Sequence, residues 1–388
     1  MTRVSQRVQS LPPYLFAEIE RKVGAKRAAG VDIISLGIGD PDSPTPEHIV
    51  AAMAEAIHDP ATHRYPTNKG TKEFRDAVAS FYRRRFAVEV DPETEVIPLL
   101  GAKEAIAHLC PTLLNESDVC LAADPGYPVY TTGPIIAGGT AVHLPLVPGL
   151  GFQPDLEGIE PAILAKARML FCGYPNNPTG AVVEDDFFER LVAFGRRHDI
   201  VIVHDNAYAD ITFDGYVAPS FLETPGAKDV GVELFSLSKS YNMTGWRSGA
   251  IVGNRDVVDA YWRLKTNTDS GMFTALQHAS AVALSGPQDS VRALCRLYAH
   301  RRDLLVPALQ RLGLRATPPK GTIYLWAPVP EGHTSGSFAD LVLEQADVIV
   351  SPGAAYGPSG EGYVRFSLTV PDARLQEAVQ RIEERVRL

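Results

Sequence analysis

Between Val96 and Val252 the chain repeats one unit: a short, almost wholly apolar run, a turn, and usually a segment of helical period. The runs are Val96–Leu100, Val119–Ala122, Ala141–Leu146, Met169–Cys172, Ile200–Val203, Val230–Phe235 and Ala250–Val252. They are nearly continuous in apolar residues, which is the pattern of strands buried on both faces. Helices between them read as Gly101 to Leu114, Gly133–Ala137, Leu156–Lys166 and Glu184–Arg197. In the last of these, Phe187, Leu191 and Phe194 make an i, i+4, i+7 apolar row. Strands alternating with helices predict an α/β fold, a mostly parallel sheet covered by helices on both faces. In such sheets chemistry gathers beyond the C-terminal ends of the strands. Gly101, Asn177, Asp205 and Lys239 all fall at or just past the end of a run, so one shared site is expected there.

The flanks read differently. Leu11-Pro-Pro-Tyr14-Leu-Phe is an extended arm ahead of an amphipathic helix from Ala17 to about Ala29, and Ile33–Leu36 is a strand running into the turn Gly37-Ile-Gly39. Helices follow at Glu47–His58 and Thr71–Arg85, then beyond the sheet at Val257–Leu264, Met272–Leu284 and Gln288–Leu312. Residues 313–388 mix short strands (Leu314–Ala316, Ile323–Ala327, Val348–Val350, Val364–Leu368) with helices at Ser337–Glu344 and Pro371–Val386. This predicts residues 1–46 as an arm and part of a smaller α+β domain, 47–285 as the large domain, and 286–388 as the rest of the small one.

Composition narrows the classes of function. The chain is 45% hydrophobic and 21% charged, a soluble globular balance, and its net charge of −9 argues against a general nucleic-acid or anionic-membrane binder. No stretch approaches the roughly 20 apolar residues of a membrane span. Four scattered cysteines without CxxC spacing suggest reduced thiols and a cytoplasmic protein, and the N-terminus lacks a signal-peptide core. The ten histidines show no metal-ligand spacing, so no metal is expected.

The chemistry concentrates in Ser236-Leu-Ser238-Lys239-Ser-Tyr-Asn-Met-Thr-Gly-Trp-Arg247. A lysine at a buried strand end, near a cation, is biased toward its neutral, nucleophilic form. Hydroxyls and a guanidinium suit a phosphate. An amine beside an anion cradle suits pyridoxal 5′-phosphate, an aldehyde that carries a phosphate arm. Asp205 could keep the pyridine nitrogen of that cofactor protonated, Tyr208 and Asn177 could bond its ring oxygen, and Tyr127 could stack on its ring. His204, the residue before Asp205 on the same strand, should point to the opposite face as a core histidine.

Asn177-Pro-Thr-Gly, Asp205-x-x-Tyr208 and Ser236-x-Ser-Lys239 with Arg247, in this order and spacing, resemble the fold-type I pyridoxal-phosphate aminotransferases of class I/II over essentially the whole chain. The resemblance implies Lys239 as the Schiff-base lysine and proton shuttle, and Asp205 as partner of the ring nitrogen. It places Ser236, Ser238, Arg247 and the turn Ala102-Lys103 on the phosphate. Arg365 and the Gly39 backbone would hold the substrate α-carboxylate. Tyr65 would reach the phosphate in a neighbouring subunit, implying a homodimer with shared sites, and the loop Asn267–Gly271 could reach the partner's site too.

The arm, with Leu36-Gly-Ile-Gly39-Asp-Pro and Gly101-Ala-Lys103-Glu, is similar to LL-diaminopimelate aminotransferases, in which the counterparts of Tyr14 and Lys103 line the substrate site. Amino acids and 2-oxo acids are then the expected substrates, LL-diaminopimelate with 2-oxoglutarate foremost. A broader aspartate, alanine or aromatic aminotransferase, a C–S lyase on the same scaffold, and a catalytically silent ligand-sensing relative stand as alternatives.

Overall fold

The structure, a computed structural model, describes residues 3–12 and 15–388. Strand β1 (Ile34–Ser35) belongs with the C-terminal elements. The next seven strands form one sheet: β2 (Val96–Leu99), β3 (Val119–Asp124), β4 (Thr140–Pro145), β5 (Ala167–Cys172), β6 (Val201–Asn206), β7 (Gly231–Ser236) and β8 (Gly249–Gly253). Their order across the sheet is β2-β8-β7-β6-β5-β3-β4, and every pairing is parallel except the two made by β8.

Alternation along each strand divides the core into two layers. Leu121, Leu170, Cys172, Ile202 and Phe235 pack on one side, with the helices Lys72–Phe86, Phe187–His198 and Thr274–Ser285. Cys120, Met169, Phe171, Val203 and Leu234 face the other, under the helices Ala102–Leu113, Val129–Ala137 and Arg255–Lys265. Sheet positions of one parity therefore meet one helical layer.

A second apolar cluster gathers the C-terminal segment. β9 (Tyr324–Pro328), β11 (Ser351–Pro352) and β12 (Tyr363–Ser367) form an antiparallel sheet with β12 central, and β10 (Val348–Ile349) pairs in parallel with β1. The helices Asp289–Arg311, Ser335–Ala346 and Asp372–Arg385 pack on them. The cluster also takes Ile34 and Leu36 from the N-terminal side. Arg301 ties the two ends of the chain together, with both terminal nitrogens on Asp42 (2.6 and 2.8 Å) and Nε on Asp372 (2.7 Å).

Two expected elements are not formed. Only Pro161–Leu164 is helical within Leu156–Lys166, a stretch where Gly158 and Pro161 interrupt any longer helix. Leu314–Ala316 is extended and its apolar side chains are buried, yet it joins no sheet. Of the predicted strand Val348–Val350, Val348 and Ile349 form β10, Val350 falls between strands, and β11 begins one residue later in a different sheet.

Candidate active site

Reversal at β8 sets the position of the lysine. Because β8 runs antiparallel to β7, the chain returns through residues 237–248 without a crossover helix to the far end of the sheet. The pair Ser236↔Gly249 and a hydrogen bond from Leu237 N to Ser248 O (3.2 Å) close the base of that loop. Gly249 is required there, since a Cβ would lie 2.6 Å from the Phe235 carbonyl oxygen. Lys239 and Arg247 thus leave the sheet together at the C-terminal end of β7.

A cavity of about 960 Å³ opens there. It is lined by Gly39, Ala102, Lys103, Tyr127, Asn177, Asp205, Tyr208, Ser236, Ser238, Lys239, Arg247 and Arg365, so twelve of the sequence-derived candidates meet in one place. Tyr65 does not line it and is 88% exposed. Tyr14 lies outside the described residues.

At one end the groups suit an anion. The helix Ala102–Leu113 presents its N-terminus, where unpaired N–H groups and the helix dipole favour negative charge. Its N-cap is Gly101 at φ +82°, and a Cβ at that position would lie 2.2 Å from an Arg247 terminal nitrogen. Glycine therefore lets a guanidinium sit against the helix start. Ser236 and Ser238 add buried hydroxyl-bearing side chains, and Arg247 itself is fastened by donating to Thr244 O (2.7 Å).

Asp205 stands at the other end. Tyr130 donates to its Oδ2 (2.9 Å), while Oδ1 is buried with no hydrogen-bond partner. Burial pushes the carboxyl above its ordinary range, and the Tyr130 bond and the neighbouring His204 offset this only in part. A buried carboxylate with one oxygen satisfied and one open calls for a cationic or N–H partner. His204 lies on the opposite face, as expected, with Nδ1 3.0 Å from Glu233 Oε2 and Nε2 3.1 Å from the Tyr174 amide.

Lys239 lies among these groups and Nζ donates to the Gly39 carbonyl (2.7 Å). Burial lowers its pKa, nearby Tyr324 and Asp40 work against that, Arg365 and Arg247 reinforce it, and the net direction is down. This is the environment a nucleophilic amine needs. Arg365 projects from central strand β12 and is 4% exposed. It donates to Asn177 Oδ1 (2.8 Å) and Gly37 O (2.7 Å), and its Nε is buried without a partner. Its guanidinium lies over the rings of Tyr324 (3.9 Å) and Tyr356 (4.6 Å), cation–π contacts that fix its plane.

These donors fit pyridoxal 5′-phosphate. An anion cradle and a buried open carboxylate oxygen bracket a lysine of lowered pKa, and Tyr127, half-buried in the same wall, offers an aromatic face.

Three site residues escape sequence reasoning. Tyr130 orients Asp205 and stacks on Phe171 at 5.1 Å; its only signal is the i, i+3 spacing from Tyr127. Tyr324 shares a 3.1 Å hydrogen bond with Tyr208. Burial alone would raise its phenol, but Arg365, Lys239 and the Tyr208 bond bring it below the ordinary value, making it the more acidic of the pair. It also explains Gly39, where a Cβ would come within 1.9 Å of the Tyr324 hydroxyl. Tyr356 completes the aromatic setting of Arg365, and neither residue has a local sequence signal.

The loop Asn267–Gly271 is anchored to its own chain. Buried Lys265 donates to Glu104 (2.7 Å) and Asp269 (2.8 Å), so a lysine ammonium supplies the cation beside the grouped Glu104, His108 and Asp269. Glu104 would be raised by burial, but His108, Lys265 and Tyr261 take it down to about 2. Among the described residues, no helix is long and apolar enough to cross a membrane.

Known proteins place this site in context. The family model for aminotransferase class I and II matches residues 31–382. An LL-diaminopimelate aminotransferase of Desulforudis audaxviator is 53% identical over 97% of this chain and 96% of that protein. One from Moorella thermoacetica is 50% identical over 97% of each. The structure of substrate-bound BacF from Bacillus subtilis aligns with a TM-score of 0.95 at 39% identity, covering 99% of this chain and 98% of that one.

Proposed function

Because the chain belongs to the class I and II aminotransferases, and so moves amino groups between amino acids and 2-oxo acids, we propose that its donor and acceptor are LL-diaminopimelate and 2-oxoglutarate, in either direction. The observation that carries this reading is near-full-length identity of about half with relatives of that named activity.

The enzyme is pyridoxal-phosphate dependent. That cofactor supplies an aldehyde for amines and a ring that takes up the electron pair left when a Cα–H bond breaks. Ser236, Ser238, Arg247 and the backbone of Ala102-Lys103 hold the phosphate. Asp205 would pair with the ring nitrogen, Tyr127 would offer a face to the ring, and Asn177 with Tyr208 would donate toward the ring oxygen. Arg365 exchanges its carbonyl and amide partners for the substrate α-carboxylate, which the Gly39 backbone also meets. Lys239 would supply the amine that bonds the aldehyde, and its Nζ would be the base that takes the proton from the substrate Cα.

A panel of amino donors mixed with the pyridoxal form tests the donor. LL-diaminopimelate is expected to discharge the visible band at a kcat/KM at least tenfold above aspartate, alanine and phenylalanine, a preference of one well-placed polar contact. Equal or better conversion of any of these three sinks the assignment.

The enzyme is further proposed to be a cytoplasmic homodimer. Tyr65, exposed and outside its own cavity, would reach the partner's phosphate, and free cysteines suit a reducing compartment. The expected solution mass is twice the 42.1 kDa chain, and a single-chain mass for the active enzyme would exclude shared sites. Apolar clusters that fall mostly on one side or the other, with Tyr208, Ile211 and Phe213 joining the C-terminal one, support the division into 47–285 and a small domain of 1–46 with 286–388.

A further inference from the structure

Part of the cavity wall belongs to none of the groups discussed so far. The helix Leu15–Ala28 contributes Glu20, Val23, Gly24 and Arg27 to the lining. That spacing, i, i+3, i+4, i+7, is a single helix face. The face carries an acid and a base with an apolar step between them. At Gly24 an added Cβ would meet nothing within 4 Å, so the middle of the face has room for a ligand. Glu20 and Arg27 are exposed and make no ion pair or side-chain hydrogen bond among the described residues. They stand two turns apart, about 10 Å along the axis, too far to pair closely with each other, while their long side chains can turn inward over Gly24 to an amine and an acid carried on one carbon.

Charges at the α-end of the cavity are already committed. Arg365 and the Gly39 backbone take a carboxylate, and Lys239 exchanges with an amine. A second amino-acid end, zwitterionic and attached through a short methylene chain, needs one acceptor and one donor elsewhere in the same cavity. We propose that Glu20 receives the distal ammonium and Arg27 the distal carboxylate of the donor, both borne on one carbon seated over the space at Gly24, with Val23 beside the last methylene. This makes the helix face a specificity determinant for a doubly zwitterionic amino acid, and it rests on the LL-diaminopimelate reading above.

L-Lysine is LL-diaminopimelate without the distal carboxylate, and L-2-aminopimelate is the same molecule without the distal amine. Rapid-mixing half-reactions of the holoenzyme with these three donors separate the two contacts. Glu20→Gln should narrow the preference for LL-diaminopimelate over 2-aminopimelate about tenfold, the scale of one partly solvated charge-assisted hydrogen bond. Its preference over lysine should change little. Arg27→Gln should narrow the preference over lysine by a similar factor, with the preference over 2-aminopimelate retained. Both losses should fall on the apparent binding constant rather than on the saturating rate. Both positions are exposed, so the fold is expected to tolerate the two changes, and a thermal melt of each holoenzyme checks that. If both variants keep the wild-type ratios, the helix face plays no part in recognition and the donor assignment survives. If wild-type enzyme does not favour LL-diaminopimelate, the donor assignment and this inference fall together.

Discussion

Lys239→Ala is expected to lower transamination on the order of 10⁴-fold or more, with the protein still folded and still able to take up pyridoxal phosphate. Positioned general acid–base groups alone are worth about 10² to 10⁴ in rate, and this lysine also supplies the amine that holds the aldehyde. In the structure its side chain makes one hydrogen bond, to the Gly39 carbonyl, so its loss leaves little of the fold unsupported. The variant's bound cofactor should absorb as a free aldehyde rather than as a lysine adduct, and a small added amine should recover part of the rate. Turnover within tenfold of wild type would remove the lysine from the reaction.

The pH dependence of cofactor capture follows from the same environment. Burial first, then Arg365 and Arg247, pull the ammonium below its free value of 10.5 against Tyr324 and Asp40. Only the neutral amine attacks an aldehyde, so apoenzyme should reach its full capture rate at lower pH than a free lysine does. Protonation of Nζ as pH falls through the folded pKa then slows capture.

Asp205→Asn is expected to cost about 10² to 10³ in kcat, the scale of removing one preorganised electrostatic contact from a transition state. The amide is near-isosteric and can keep the Tyr130 contact at the position of Oδ2. What it loses is the charge that faces the ring nitrogen. Since burial already holds the Asp205 carboxyl above its usual range, a cationic ring nitrogen is what returns it to the ionised form. Activity should therefore fall on the acid side as that carboxylate is protonated, and the acid limb should vanish from the residual activity of the Asn variant. Asp205→Glu, which restores the charge, should recover part of the loss. A kcat within threefold of wild type for Asp205→Asn would separate this carboxylate from the chemistry.

The sheet was legible because its strands are buried on both faces. Runs such as Met169–Cys172 have no polar alternation to confuse with a surface strand, and a parallel sheet then tells where its loops converge. Lys239, Asp205 and Asn177 were legible for that reason. Tyr130 and Tyr324 were not, because their contacts to Asp205 and Tyr208 join residues 75 and 116 positions apart, and Tyr356 was not because the short turn that brings it to Arg365, nine positions on, has no periodic pattern. Leu314–Ala316 has a strand's composition, and only partner geometry decides whether a strand forms. The 156–166 stretch was mistaken because apolar spacing there outweighed its glycine and proline. The N-terminal helix could be read as amphipathic, but nothing in the sequence said that its Glu20 and Arg27 would line a cavity built mostly from residues far along the chain.

Strand β8 has a wider consequence. Both ends of the loop that bears Lys239 and Arg247 are stitched into interior strands of the seven-stranded sheet, so the backbone that carries the bond-making amine is held fast. Arg365, Tyr324 and the 15–28 helix hang instead on the C-terminal and N-terminal segments. Fitting to a longer or shorter substrate is therefore expected to fall to that wall of the cavity, with the sheet as the fixed anvil opposite.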